Sequence, residues 1–449
     1  QDIEELFPET LKGTPLPYFV DWLIDNVDLV QITAFSDEEA YSIFETMNDR
    51  GLRLSPTEML KGYLLTSIDS EAKQHEANQL WRQRVLGLIE LDREEELDFF
   101  KNWLRAKYAE TIRPRRRGAS NRDFEHLGTA YHKWVRDNAE RIGLDRSSGF
   151  ESFVQKQFAL FSRQYIRIGN AKRKLTPGLE LIYYNNAVNF TLQDMLLLAP
   201  IAVEDPPDVI DRKFRLVSTY IDIFVARRIV NFRTLRYSSI VYTMFNLMTD
   251  IRDLDVESLA NMLKGRVDEM EETFDGVEDF YLHQQNRRYV HYLLARMTHY
   301  IETQSGRDSS FESYAMPRVG EHHEVEHVLA NKYERHTVEF ESRDEFEEWR
   351  NRFGALVLLP RSFNQSYGAL PYAEKLPHYF GQNYLARSLN AKCYTRNPGF
   401  VRFVSESGIP FQPHDSFDKE AIEVRQEVYR QLCEAIWDPA RFEREVVES

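Results

Sequence analysis

From Glu321 to His327 the chain places three histidines, His322, His323 and His327, among Glu321, Glu324 and Glu326. An unprotonated imidazole, with a reference pKa of about 6.5, can take a proton from water at neutral pH. Carboxylate and amide oxygens bind a hard divalent cation while leaving positions open for water and phosphate. Adjacent Glu326 and His327 therefore offer one cation ligand and one general base. Asn364, further along, offers a second oxygen ligand, and Glu324 a weaker ligand or supporting carboxylate. That set suits hydrolysis of a phosphodiester. The same histidines and glutamates could instead hold a structural zinc ion, but no second ligand pair accompanies them. His322 and His323 read as surface residues. No Ser-His-Asp arrangement can be argued, no Gly-x-Ser-x-Gly sequence occurs, and no glycine-rich phosphate loop supports a Walker-type nucleotide site.

Positioning these groups requires two strands and a helix. Residues 324–329, Glu-Val-Glu-His-Val-Leu, alternate and then turn apolar, as a short strand does. Residues 355–359, Ala-Leu-Val-Leu-Leu, form a second apolar strand introduced by Gly354, and Pro360 opens a helix through Phe363 and Asn364. This is the outline of a ββα-metal nuclease finger. The intervening Glu- and Arg-rich stretch, 334–352, reads as helical, and Asp418 to Trp437 as one amphipathic helix.

The remainder is mainly helical. Tyr41, Phe44 and Met47 recur at helical spacing until Asn48-Asp49-Arg50-Gly51 breaks the period, and Ser55-Pro56-Thr57-Glu58 restarts it with a capping box. Helical periods run on from 67 to 105, from 124 to 170 and from 189 to 302. Arg227, Arg228, Arg233 and Arg236, and the arginines that open 284–297, read as scaffold. Between 101 and 122 the basic residues outnumber Glu110 alone, and Pro114 and Gly118 place Arg113, Arg115, Arg116 and Arg117 in a loop. Such a loop is either a solvated turn or a phosphate contact. Polar residues 304–313 mark the clearest boundary.

The 449 residues carry a formal charge of −15, which argues against a generic nucleic-acid coat but leaves room for a local basic path. No apolar run is long enough to span a membrane. With Cys393 and Cys433 as the only cysteines, a disulfide framework and a cysteine-rich zinc site are excluded and a reducing cytoplasm is expected. The first residue is Gln1, so the chain is expected to begin inside a longer protein.

Residues 43–65, IFETMNDRGLRLSPTEMLKGYLL, resemble the end of the ParB-like N-terminal domain of GmrSD-type restriction proteins. EVEHVLANKY (324–333) and FGALVLLPRSFNQ (353–365) resemble the HNH-like nuclease domain fused to it. The resemblance implies a fold of helical scaffold plus a small HNH-like finger. It divides the chain into a sensor-domain remnant (1–66), a helical scaffold (67–310) and a nuclease domain with its closing helix (311–449). The family's Asp-Gly-Gln-Gln-Arg motif, linked to nucleotide hydrolysis and sensing of modified DNA, does not occur here, which implies a C-terminal fragment whose nucleotide belongs to the missing domain. The implied activity is Mg²⁺- or Mn²⁺-dependent nicking of phage DNA in antiviral defence, with a preference for the phosphorothioate-sensing SspE-like branch. Carried over, His327 is the general base, Glu326 and Asn364 the metal ligands, and Glu324 a weaker one. Lys375, past the helix, reads either as a phosphate contact or as a solvated lysine, and the 113–117 arginines remain the other candidates for contact with DNA. Ala330 stands where the family usually has Pro, and Ala355 replaces the Asn of Gly-Asn-Leu. Those departures keep two alternatives open: a scaffold with a degenerate finger, and a DNA-binding module that does not cleave. Homo-oligomer formation is left open as well.

Overall fold

The computed structural model describes residues 7–28, 55–315 and 322–447. The expected helix and turn from Tyr41 to Gly51, and Glu321, lie outside the described residues. Two compact units divide the chain, Gln1–Glu58 and Met59–Ser449. In the first, Leu16–Asn26 is helical. At its end the Ser55 N–H donates to Glu58 Oε2 at 2.8 Å while the Glu58 N–H donates to Ser55 Oγ at 3.2 Å, the reciprocal cap read from the sequence.

The second unit is built from helices around a shared apolar core. Helix α1 (Glu95–Tyr108) buries Phe99, Phe100 and Trp103, and the Phe100 ring stacks on Phe158 at 5.8 Å. Long α2 (Pro207–Val230) and α3 (Tyr237–Asp250) follow, and then α4 (Arg287–Gln304) crosses the middle of the unit. A buried two-pronged pair joins α2 to α4: Arg296 Nη1 and Nη2 donate to Asp222 at 2.6 and 2.8 Å, and Tyr292 hydroxyl donates to the same carboxylate at 3.2 Å. Arg227 and Arg228 of α2 cap neighbouring backbone and Glu272, in keeping with scaffold roles.

Strand β1 (His323–His327) is followed by α5 (Arg343–Asn351), β2 (Leu356–Pro360), α6 (Arg361–Tyr367), α7 (Tyr372–Tyr379) and the closing α8 (Lys419–Ile436). The strands pair antiparallel, with His327 opposite Leu356, Glu326 opposite Val357 and Glu324 opposite Leu359. Side chains alternate across such a ladder. Val325, Leu356 and Leu358 join the core shared with α4, whereas Val357 and Leu359 join a second core with Phe363, Tyr379 and Ile422. Both faces are covered.

The polar residues 304–313, expected to separate two domains, lie inside this one unit. The reason is that hairpin and scaffold share side-chain partners. Glu302 of α4 accepts the Tyr384 N–H at 2.7 Å, and Gln426 of α8 donates to the Phe280 carbonyl at 3.0 Å.

Gly354 is set by the approach of α8. A Cβ there would meet the Ile422 carbonyl at 2.6 Å and the Gln426 amide nitrogen at 2.7 Å, both backbone atoms. Its N–H donates to Gln426 Oε1 at 2.6 Å, and its carbonyl accepts from Arg425 Nε at 2.9 Å. Gly354→Ala is expected to destabilise the protein by about 1–3 kcal/mol through forced displacement of α8. A denaturant midpoint equal to the parent's would show that no such close approach exists.

Candidate functional site

His327 ends β1, and its ring orientation is decided by Asn351 at the end of α5. The Asn351 Nδ2 donates to the Glu347 carbonyl at 2.8 Å, so its Oδ1 faces the imidazole, at 2.9 Å from Nε2. A carbonyl only accepts, and an amide oxygen only accepts. The neutral ring therefore carries its proton on Nε2 and its lone pair on Nδ1. Burial first, then the nearby Arg350 charge, push the His327 pKa down to about 3; Lys375 and Arg287 act in the same direction, and the Asn351 bond opposes them. The imidazole is unprotonated at neutral pH, as a general base requires.

Glu326 faces the other side of the strand. Its Oε1 accepts from Lys375 Nζ of α7 at 2.6 Å, and the same ammonium donates to the His327 carbonyl at 3.1 Å. Lys375 is completely closed off from solvent. This corrects the reading of Lys375 as a phosphate contact: its charge is used inside the protein, beneath the hairpin. Burial raises the Glu326 carboxyl pKa and Lys375 lowers it again, while burial lowers that of Lys375.

Glu324, two residues back, shares the Glu326 face and is half-buried, with His322 Nε2 and Arg361 Nε each 3.7 Å away. Helix α6 packs on this face through Phe363. Its Asn364 has a buried Oδ1 that meets no donor among the described residues. A buried amide oxygen without a donor suits a cation. Among the described residues, no group of three or more His, Cys, Asp and Glu gathers to hold an ion. Glu324, Glu326 and Asn364 are oxygen donors of the kind that a hard ion such as Mg²⁺ takes.

Residues 266–432 match the C-terminal domain of GmrSD restriction endonucleases. That stretch is GmrSD-like. No curated protein matches it. The matched GmrSD-type region begins ahead of α4 and takes in both strands, which agrees with α4 covering one face of the hairpin. It implies a restriction-endonuclease-type nuclease. Ala355, which departs from the family pattern, is packed in the second core. The amide that holds the imidazole comes from Asn351 instead, a residue that the sequence reading passed over inside a charged helix.

Outside the match, the 113–117 loop faces α3. Arg113, Arg115, Arg116 and Arg117 are exposed and line a cavity of about 580 Å³ with Tyr237 and Tyr242. Gly118 has φ +78°, a left-handed turn that closes the loop. Arg115 donates to the Ser239 carbonyl at 3.2 Å and lies 5.4 Å above the Tyr242 ring. No helix among the described residues is long and apolar enough to cross a membrane, and both cysteines are free and buried.

Two outcomes test this geometry. Lys375→Met leaves a buried carboxylate without its partner and is expected to cost about 3–5 kcal/mol at neutral pH, much of which the double variant Glu326→Gln, Lys375→Met should restore. Equal losses in the single and the double variant would refute the pairing. Because the folded His327 pKa lies below the unfolded 6.5, its contribution is present above pH 6.5 and is lost as pH falls toward about 3. His327→Gln should therefore show a flatter stability profile between pH 7 and 4 than the parent does, as read by urea titration; identical slopes would contradict the depressed pKa.

Proposed function

We propose that the finger formed by β1, β2 and α6 is a divalent-metal-dependent DNA endonuclease of the HNH-like type, which nicks phage DNA in a modification-linked, cytoplasmic restriction system. The observation that carries the reading is the imidazole of His327, kept neutral by burial and oriented by Asn351 with its lone pair on Nδ1. Nδ1 takes the proton of the attacking water, and Asn351 keeps the ring in place as the charge develops. Glu326, Asn364 and the weaker Glu324 would hold Mg²⁺ or Mn²⁺, which when bound supplies charge neutralisation at the scissile phosphate and leaving oxygen. Lys375 offsets part of the charge of Glu326 and keeps that carboxylate fixed under the hairpin. Arg113, Arg115, Arg116 and Arg117 contact DNA phosphates; Arg116 and Arg117 have no side-chain partner among the described residues. The SspE-like branch, a sensor-domain remnant ahead of the scaffold, and a nucleotide bound only by that sensor domain complete the proposal.

A second reading, a finger that binds DNA without cutting, is favoured by one observation. A ring whose conjugate acid has a pKa of about 3 is a weak base at neutral pH. Supercoiled plasmid incubated with Mn²⁺ or Mg²⁺, with EDTA as control, separates the two. Metal-dependent conversion to open circle is expected, reduced about 10²- to 10⁴-fold in His327→Ala. Asn364→Ala should raise the metal concentration required. Cleavage by His327→Ala at the parental rate would exclude this base, and metal-independent DNA binding with no cutting would establish the second reading. Replacing Arg113, Arg115, Arg116 and Arg117 together should weaken binding and flatten its dependence on salt.

A further inference from the structure

A second cavity, of about 690 Å³, lies between the start of α4 and β1. Arg287, Arg288 and His291 line it from the helix, and His322, His323 and Glu324 line it from the strand. His291 fastens the two walls together: its Nε2 donates to the His323 carbonyl at 3.0 Å. That bond leaves the neutral ring with its lone pair on Nδ1, and burial holds its pKa below the ordinary value.

Among the described residues the charge at this groove is positive on balance. Glu324 is the one carboxylate among those described residues that line it, and Arg361 and His322 flank it at 3.7 Å each. Arg287 and Arg288 are exposed. The Arg288 guanidinium leans on its neighbour, 4.5 Å above the Tyr289 ring. The Arg287 side chain has no hydrogen-bond or ion-pair partner among the described residues. Arg287 opens α4. Five residues earlier the Leu282 N–H donates to the carbonyl of Asn351 at 2.8 Å, and the side chain of Asn351 holds His327. The helix wall of the groove thus starts near the candidate base. A guanidinium with free donors matches two oxygens of a phosphate, and the groove follows β1 from His322 to Val325, two residues short of His327.

We infer that this groove seats the sugar-phosphate backbone of the DNA strand to be cut, with Arg287 and Arg288 holding consecutive phosphates on the approach to His327. The inference rests on the nuclease reading and names the path of its substrate. The arginines supply the attraction, because His291, kept neutral by burial, adds no charge. Glu324 opposes the strand, so its removal should act in the opposite direction from removal of the arginines.

The test is binding, measured by fluorescence anisotropy on the full chain in EDTA, with a labelled phosphodiester duplex across a range of KCl concentrations. Arg287→Ala with Arg288→Ala is expected to bind about tenfold or more weakly at moderate salt, and to lower the slope of log affinity against log salt by about two, close to 0.9 per phosphate contact. Glu324→Gln is expected to bind more tightly than the parent, a gain that damage to the fold would not produce. A parental slope in the double arginine variant, or weaker binding in Glu324→Gln, would overturn the groove. The two proposals fail separately. Metal-dependent nicking with an unchanged slope keeps the nuclease and discards the groove, while a reduced slope without any nicking by the parent keeps the groove as a DNA seat and discards the nuclease.

Discussion

A two-stranded hairpin is marginal in water by itself, and everything at this end of the protein follows from the need to cover it on both faces. One face is closed by α4, itself pinned to the scaffold by the buried Asp222–Arg296 pair. The other is closed by α6, α7 and α8, and α8 comes so near that only a glycine fits at 354. Breaking a buried ion pair of this kind is costly, so the pair makes the position of α4 well defined. The position of α4 in turn sets where β1 can lie, through His291 and the His323 carbonyl.

Covering both faces also determines the electrostatics. Alternation sends Glu326 into a closed space, where an unpaired carboxylate would be expensive, and the Lys375 ammonium meets it there. The same shelter removes water from His327, so that its proton becomes costly and the ring stays neutral. Carboxylates on one face and the imidazole on the other are thus consequences of strand geometry, not of sequence adjacency. Neighbours in sequence point apart in a strand. This is why Glu326 and His327, adjacent in sequence, face opposite sides of the hairpin.

Several elements were legible beforehand because their signals are local. The Ser55–Glu58 cap, the apolar strand after Gly354, the helix opened by Pro360 and the tail helix starting at Asp418 each depend on residues within one or two turns of each other. The match to the GmrSD C-terminal domain, residues 266–432, takes in both strands and the helix that Pro360 opens. The role of Asn351 was not legible, since it is separated from His327 by a loop and a helix and looks like one more polar residue on a charged surface. Lys375 was misread for a related reason: a lysine is ordinarily exposed, and nothing near it in the chain announces Glu326 as its partner.

By itself the sequence determined the mainly helical class, the order of strand, strand and helix, and the imidazole, carboxylate and amide side chains available there, because these depend on periodicity and on the chemistry of single side chains. Only the tertiary structure decided which of those side chains meet. It united scaffold and finger into one unit, set Lys375 against Glu326 and Asn351 against His327, and opened a basic groove at the start of α4. Each of these pairings joins segments far apart in the chain, and burial, which sets their strength and their protonation, exists only after packing.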